Sequence, residues 1–208
     1  MNYLAASEYE TFGLDERTAA GLVASASSLM DAHCRRTTLG VAQYQERLRL
    51  PWDRCALRLT YLPLAVVGPA TTAIVTIRGR YVQPRNGEGW AAEFAHEVLT
   101  TFALPGTWVT MDPASIDFDA GTGELTLPLN ILGLEYGEME ISYMAGLSTI
   151  TDGVKTACAK IVQNAQATPA LNVKLSRLDR MHMAYFSDTL IDQDVQALLA
   201  PYVAQKVG

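Results

Sequence analysis

No lysine or arginine occurs between residues 86 and 145, a stretch that carries ten acidic side chains. Lysine is scarce everywhere, and its four copies fall at positions 155, 160, 174 and 206. Cysteine and histidine are rarer still, at three each. Cys34, Cys55 and Cys158 are odd in number and far apart, which argues against a disulfide scaffold and against zinc held by paired cysteines. His33, His96 and His182 are equally scattered, so no metal or cofactor site is expected. Long apolar runs are missing as well. The best, Leu62 to Ala70, is interrupted by Pro63, Gly68 and Pro69 and falls short of the ~20 residues a membrane-spanning helix needs. Met1 to Glu10 has neither the basic nor the apolar region of a signal peptide, so a soluble chain made in a cytoplasm is expected.

What is present suffices to build a core. The chain has 208 residues, 49% of them apolar, enough for one elaborated domain or two small ones and too many for general disorder. Its net charge of −6 argues against wrapping nucleic acid through phosphates. That charge falls into three regimes: net +3 over residues 1–85, −10 over 86–145, and +1 over 146–208. Three charge regimes suggest three structural ones.

The first regime reads as helix, then strand. Asp15 is a candidate N-cap, and Leu22, Ala26, Leu29 and His33 recur at helical spacing, joined by Val23, Met30 and Cys34. Ala19, Ala20, Gly21, Ala24, Ser25, Ser27 and Ser28 make the remaining surface small enough for another helix to approach closely. Tyr44 to Leu50 alternates like a strand and stops at Pro51. The middle regime reads as antiparallel β-structure: Leu57, Leu59 and Tyr61; Val75 and Ile77; a hairpin from Ile116 to Leu129 around Asp119 to Gly123; and Met139, Ile141 and Tyr143 alternating with Glu138, Glu140 and Ser142. Trp90 to Leu104 is expected to form strands. The third regime returns to helix, with Thr151 or Asp152 capping a stripe of Val154, Cys158, Ile161 and Val162. A final amphipathic helix follows Asp188 and bends or ends at Pro201. The expected fold is therefore α+β: an N-terminal helical part with a linking strand (1–50) and C-terminal helices (147–208), the helical parts packing as one small bundle, with an inserted antiparallel sheet or sandwich (51–146).

Motifs that carry chemistry are few. Gly87-Glu-Gly-Trp-Ala-Ala92 has the spacing G-x-G-x-x-A, but a dinucleotide site needs it between a parallel strand and a helix, and a hairpin turn is expected here. Asp117-Phe-Asp-Ala-Gly-Thr-Gly-Glu124 faintly resembles a calcium loop yet lacks its other ligands. A metal-dependent hydrolase would have to assemble in space from residues such as Asp117, Asp119 and His96. No catalytic residue is selected, and interaction surfaces are the better expectation. The Met181–Phe186 cluster and the Leu198–Val203 end carry the Met and aromatic side chains favoured at interfaces, with ordinary core as the alternative.

Four segments together resemble a known family. They are Tyr44-x-Glu-Arg-x-Arg-Leu-Pro51, Leu57-x-Leu-x-Tyr-x-Pro-Leu64, Ile141-Ser-Tyr-Met-Ala-Gly146, and Asp152-Gly-Val-Lys-x-Ala157 opening a helix. In this order, after a small-residue helix and Arg35-Arg36, they look like the head–tail connector (adaptor) proteins of tailed bacteriophages and gene transfer agents. The likeness is strongest over 14–64 and 139–165; residues 65–138 read as an enlarged β insertion, since many connectors are shorter and nearly all helical.

The resemblance implies a structural virion protein at the neck, made in the host cytoplasm. Copies would form a ring, a dodecamer by family habit, beneath the portal protein. The ring would extend the DNA channel and present a platform to tail, stopper or tail-tube proteins, with double-stranded DNA passing through without specific binding and no membrane involved. On that expectation Tyr185, Phe186, Leu198, Leu199, Tyr202 and Val203 are candidates for portal contact. Leu22, Val23, Ala26 and Leu29 are candidates for packing between subunits. Glu88, Glu93, Glu97, Glu138 and Glu140 are candidates for an acidic surface facing the channel or the tail. Another tail-completion or neck component is the alternative.

Overall fold

The computed structural model describes residues 2–50, 56–68, 72–81, 90–103, 106–128, 136–167, 175–178, 181–184 and 190–205. In chain order the elements are α1 (Ala20–His33), β1 (Ala42–Arg49), β2 (Ala56–Arg58), β3 (Ile74–Arg80), α2 (Trp90–Thr101), β4 (Trp108–Met111), β5 (Asp117–Phe118), β6 (Glu124–Thr126), β7 (Glu138–Ala145), α3 (Asp152–Ala167), β8 (Leu175–Leu178), β9 (Met181–Ala184) and α4 (Gln193–Leu199). The fold is α+β with antiparallel sheets. Met1–Leu39 and Thr149–Val203 form one compact unit, and a second is built on Gly40–Ser148. Strand β1, expected to link the two parts, belongs with the second unit.

In the helical unit α3 packs against both α1 and α4. Helix α1 begins later than Asp15. The Asp15 carboxylate accepts the Arg17 amide at 2.7 Å and its carbonyl accepts Thr18 N–H, closing a separate turn before the helix. Its buried stripe is Val23, Ala26, Ser27, Met30 and Cys34: of the expected residues Val23, Ala26, Met30 and Cys34 lie on it, whereas Leu22 is exposed and Leu29 and His33 are half-buried, so the stripe is centred toward Ser27. Ser27 explains the shift. It is fully buried because its hydroxyl donates to the Val23 carbonyl at 2.8 Å and its oxygen lies 3.8 Å from the Cys158 sulfur on α3. Of the small residues of α1, Ser27 serves this close approach to α3, whereas Ala20, Gly21, Ala24, Ser25 and Ser28 are exposed. Residues before α1 bury Tyr3, Leu4, Tyr9 and Leu14. The Tyr3 hydroxyl donates to Asp31 and accepts Leu39 N–H at 2.7 Å; burial, with the Asp31 bond, pushes it up to about 12. Helix α4 is capped by Asp192, whose carboxylate accepts Val195 N–H at 2.8 Å, and it gives way to a 3-10 turn at Ala200–Tyr202 around Pro201. The mixed stretch from Asn172 to Phe186 contributes an antiparallel hairpin, β8 with β9.

In the second unit β1, β7, β3 and β4 form a four-stranded antiparallel sheet in that order, and β2, β6 and β5 form a three-stranded one. Their inner faces share one core containing Tyr44, Leu57, Leu59, Ile77, Leu125, Met139, Ile141 and Tyr143. Trp90 to Thr101 is helical, not strand. Ala91, Ala92 and Ala95 with Glu93 and Glu97 favour helix, and Phe94, Val98 and Phe102 fall four apart.

Three of the segments that carry the family resemblance meet in this core. Tyr143, wholly buried on β7, donates its hydroxyl to Glu46 of β1 and accepts the Tyr61 amide at 3.1 Å. Glu46 also accepts the Thr60 hydroxyl at 2.6 Å and the Thr60 amide at 3.2 Å. Tyr44 stacks on Tyr61 with ring centroids 4.0 Å apart. Burial first, then the Glu46 bond, hold the Tyr143 hydroxyl far above the ordinary tyrosine range. At the end of β7 Gly146 donates to the Pro63 carbonyl at 2.9 Å. With φ at +127° and the Gly40 carbonyl against the place of a Cβ, position 146 admits glycine alone without strain.

Replacing Tyr143 with Phe removes a donor from a carboxylate that has little water. Chemical denaturation is expected to show a loss of about 1–3 kcal/mol with the m-value unchanged. A loss below about 0.5 kcal/mol means the network is solvated.

Candidate functional site: an arginine and tryptophan face on the sheet

The outer face of the four-stranded sheet is polar, and its strand register decides what meets what. Side chains alternate, so Gln43, Gln45, Arg47 and Arg49 of β1 share this face with Glu138, Glu140 and Ser142 of β7, Thr76, Arg78 and Arg80 of β3, and Trp108 and Thr110 of β4. The two glutamates stand on the central strand, flanked on both sides by arginines.

Glu138 bonds Arg47 from one neighbour and Arg80 from the other, and its side chain is only 7% exposed. Glu140 accepts Arg78 Nη2 at 2.6 Å and the Gln45 amide at 2.8 Å. The Trp108 ring lies beneath all three guanidiniums, at 5.4 Å from Arg47 and 5.1 Å from each of Arg78 and Arg80. Such contacts attract a cation to the negative face of the ring and keep the guanidinium planes in place. Arg47 above all, with Arg80, holds the Glu138 carboxyl below the usual carboxylate range against the opposing effect of burial. Arg49 is exposed and pairs with no carboxylate among the described residues. Four arginines against two glutamates leave the face net positive, at +2.

The acidic-surface expectation is therefore corrected at two of its positions. Glu138 and Glu140 are not a free acidic edge; the arginines of the first charge regime cover them. Glu93 and Glu97 are exposed on α2, and Glu88 lies outside the described residues. Among the subunit-packing candidates, Val23 and Ala26 are consumed by the core of their own unit, whereas Leu22 is exposed and Leu29 half-buried. Among the portal-contact candidates, Leu199 is fully buried in its own unit; Leu198, Tyr202 and Val203 are half-buried; Tyr185 and Phe186 lie outside the described residues.

The hydrolase residues are not gathered. Asp119 closes the β5–β6 turn, its carboxylate accepting the Gly121 amide at 2.7 Å and the Thr122 amide at 3.3 Å, bonds that hold it below the ordinary range. Asp117 is exposed on β5 and His96 exposed on α2. No group of three His, Cys, Asp or Glu side chains suited to a metal ion occurs among the described residues. Gly87 and Gly89 lie outside those residues, but the strand that precedes α2 in sequence, β3, is antiparallel to both its neighbours, which is not the dinucleotide-binding arrangement. Among the described residues no helix is long and apolar enough to cross a membrane. Comparison with protein-family models finds no match, and neither does comparison with curated proteins.

Because the folded Glu138 carboxyl titrates lower than in the unfolded chain, its stabilising contribution is complete above about pH 4.3 and is lost as pH falls through the lowered value. Glu138→Gln is expected to destabilise the protein by about 2 kcal/mol at pH 7, less than for a fully buried pair because Arg47 reaches water. It is also expected to flatten the acid limb of the stability profile, measured by thermal melts from about pH 3 to pH 7. An unchanged acid limb contradicts the assigned ion pairs.

Proposed function

We propose that this protein is a head–tail connector, a structural component that forms a ring at the neck of a phage or phage-like particle and performs no catalysis. The observation that supports the reading best is the convergence of its motif segments. Glu46, Tyr61 and Tyr143 come from three of the four resembling segments and meet in one partly buried network. The fourth opens α3 six residues after the glycine that ends the third. Residues with no catalytic geometry, spread over a hundred positions, gain a common purpose if they hold one scaffold.

The helical unit bears on the reading in a second way. Leu198, Tyr202 and Val203 remain partly exposed at the end of α4, where an assembly partner could reach them. Deleting everything beyond Asp188 would strip α4 from α3 and so would probe folding. Tyr202→Ala and Val203→Ser leave Leu199 in place and are the better probes of docking.

The deciding experiment mixes the full chain with the portal protein of the same particle and images the product by electron microscopy. A ring of this protein on the tail-facing side of the portal is expected, with Tyr202→Ala and Val203→Ser together reducing occupancy by at least about tenfold. A product bound elsewhere on the particle favours another neck or tail component, and no binding at all contradicts both.

A further inference from the structure

We infer that the open edge of strand β1 receives an extended segment of another protein, one that alternates carboxylates with small apolar side chains and adds to the sheet beside β1. The contact does not depend on ring formation.

Only half of the β1 backbone is used within the chain. Strand β1 stands at one end of the order β1-β7-β3-β4, so β7 occupies one of its two sides. Which residues bond β7 follows from two flanking bonds. Leu50 N–H donates to the Gly137 carbonyl at 3.1 Å, continuing the ladder past Arg49. Met144, opposite Gln43, instead donates to the Ala73 carbonyl at 2.9 Å and accepts Ala65 N–H at 3.0 Å, away from β1. Bonded and unbonded pairs alternate along an antiparallel ladder. Ala42, Tyr44, Glu46 and Leu48 are therefore the residues that bond β7. The N–H and C=O groups of Gln43, Gln45, Arg47 and Arg49 point out of the sheet edge. All four residues are exposed, and no backbone group among the described residues bonds theirs on that side. Such a row of open donors and acceptors is what strand addition uses.

The side chains select the kind of strand that fits. Arg47 and Arg49 lie on the outer face two residues apart, which is the period of an extended chain. On its paired side β1 already shows the match, since β7 sets Glu140 opposite Arg47 and Glu138 opposite Arg49. Arg49 nonetheless pairs with no carboxylate among the described residues. Two carboxylates at alternate positions of an added strand would stand opposite Arg47 and Arg49 and bring the face from net +2 to neutrality. On the inner face Ala42 and Leu48 are only partly buried against the core, so the intervening side chains of the added strand would complete their cover. Small apolar residues suit that place. Arginines on an edge guard it against like strands: β1 of a second copy would bring more arginine and no carboxylate to the outer face. They do not guard it against an acidic strand. A nucleic acid could meet the guanidiniums but has no main-chain ladder to satisfy the open amides.

The test titrates the full, isotope-labelled chain with a synthetic peptide of about nine residues that alternates glutamate with valine. Binding with a dissociation constant below about 1 mM is expected at low salt, weakening about tenfold at high salt. In the bound state the amides of Gln43, Gln45, Arg47 and Arg49 are expected to exchange with solvent at least about tenfold more slowly, while those of Tyr44, Glu46 and Leu48, already bonded to β7, change little. Arg49→Glu, at an exposed position, is expected to weaken binding at least about tenfold, with unchanged circular dichroism as the check on folding. The same peptide methylated on its backbone nitrogens keeps its charge, loses its donors and is expected not to bind. Equal binding by the methylated peptide means that charge alone draws it and overturns strand addition. Binding that leaves the four edge amides unprotected overturns it as well, and so does an absence of binding at about 1 mM peptide. Self-association of the free chain that protects the same amides would assign the edge to a second copy. Binding of a short DNA duplex in place of the peptide, abolished by Arg49→Glu, would assign the arginines to phosphates. Either result overturns the acidic strand, and neither bears on the portal experiment, which reads ring formation.

Discussion

The fold of the sheet unit depends on what strand β7 carries on its two sides. Toward the core, Tyr143 donates to Glu46 and ties β1 to the segment Thr60–Tyr61. Toward the outside, Glu138 and Glu140 are bracketed by arginines of β1 and β3. A carboxylate on a central strand is expensive to dry unless cations and donors surround it. Here each one has them, and their partners come from neighbours on both sides. The register of three strands is thereby fixed twice, once by apolar packing with a partly buried hydrogen-bond network and once by charge. A one-residue slip of β1 or β3 would drive arginines into the core and strand both glutamates.

Much of this was legible in advance, and the reason is periodicity. Alternation in Tyr44–Leu50 and Glu138–Tyr143, the Asp119–Gly123 turn, and the apolar stripe of α3 all rest on local rules, and all appear where expected. One element was legible in part and another was misread. In α1, Leu22 and Val23 both fit a helical stripe, and only Ser27, a polar residue satisfied by its own helix, shows which side is buried. In α2, where strands were expected, the helix propensity of the alanines and glutamates prevails. The N-terminal residues gave no periodic signal at all, since Tyr3 and Leu4 are placed by a hydrogen bond to Asp31 and by burial rather than by regular structure.

The candidate surface was half visible. Arginines at alternate positions 47 and 49, and again 78 and 80, mark two wet strand edges, and acids at 138 and 140 mark a third. Their opposition in space required the strand order β1-β7-β3, which no local pattern encodes. Reading the charge regimes separately therefore suggested an acidic sheet. Bringing them together produces a face that is net positive, with an aromatic ring among the cations. By its charge such a face is not the acidic surface that a sliding duplex would favour.

Native-state hydrogen exchange of the full chain tests the role assigned to β7 most directly. The account predicts that amides of Met139, Ile141 and Tyr143 are the slowest in the sheet unit, exchanging only through global unfolding, while those of the edge strand β4 exchange by local opening. Protection of β7 no greater than that of β4 would contradict it.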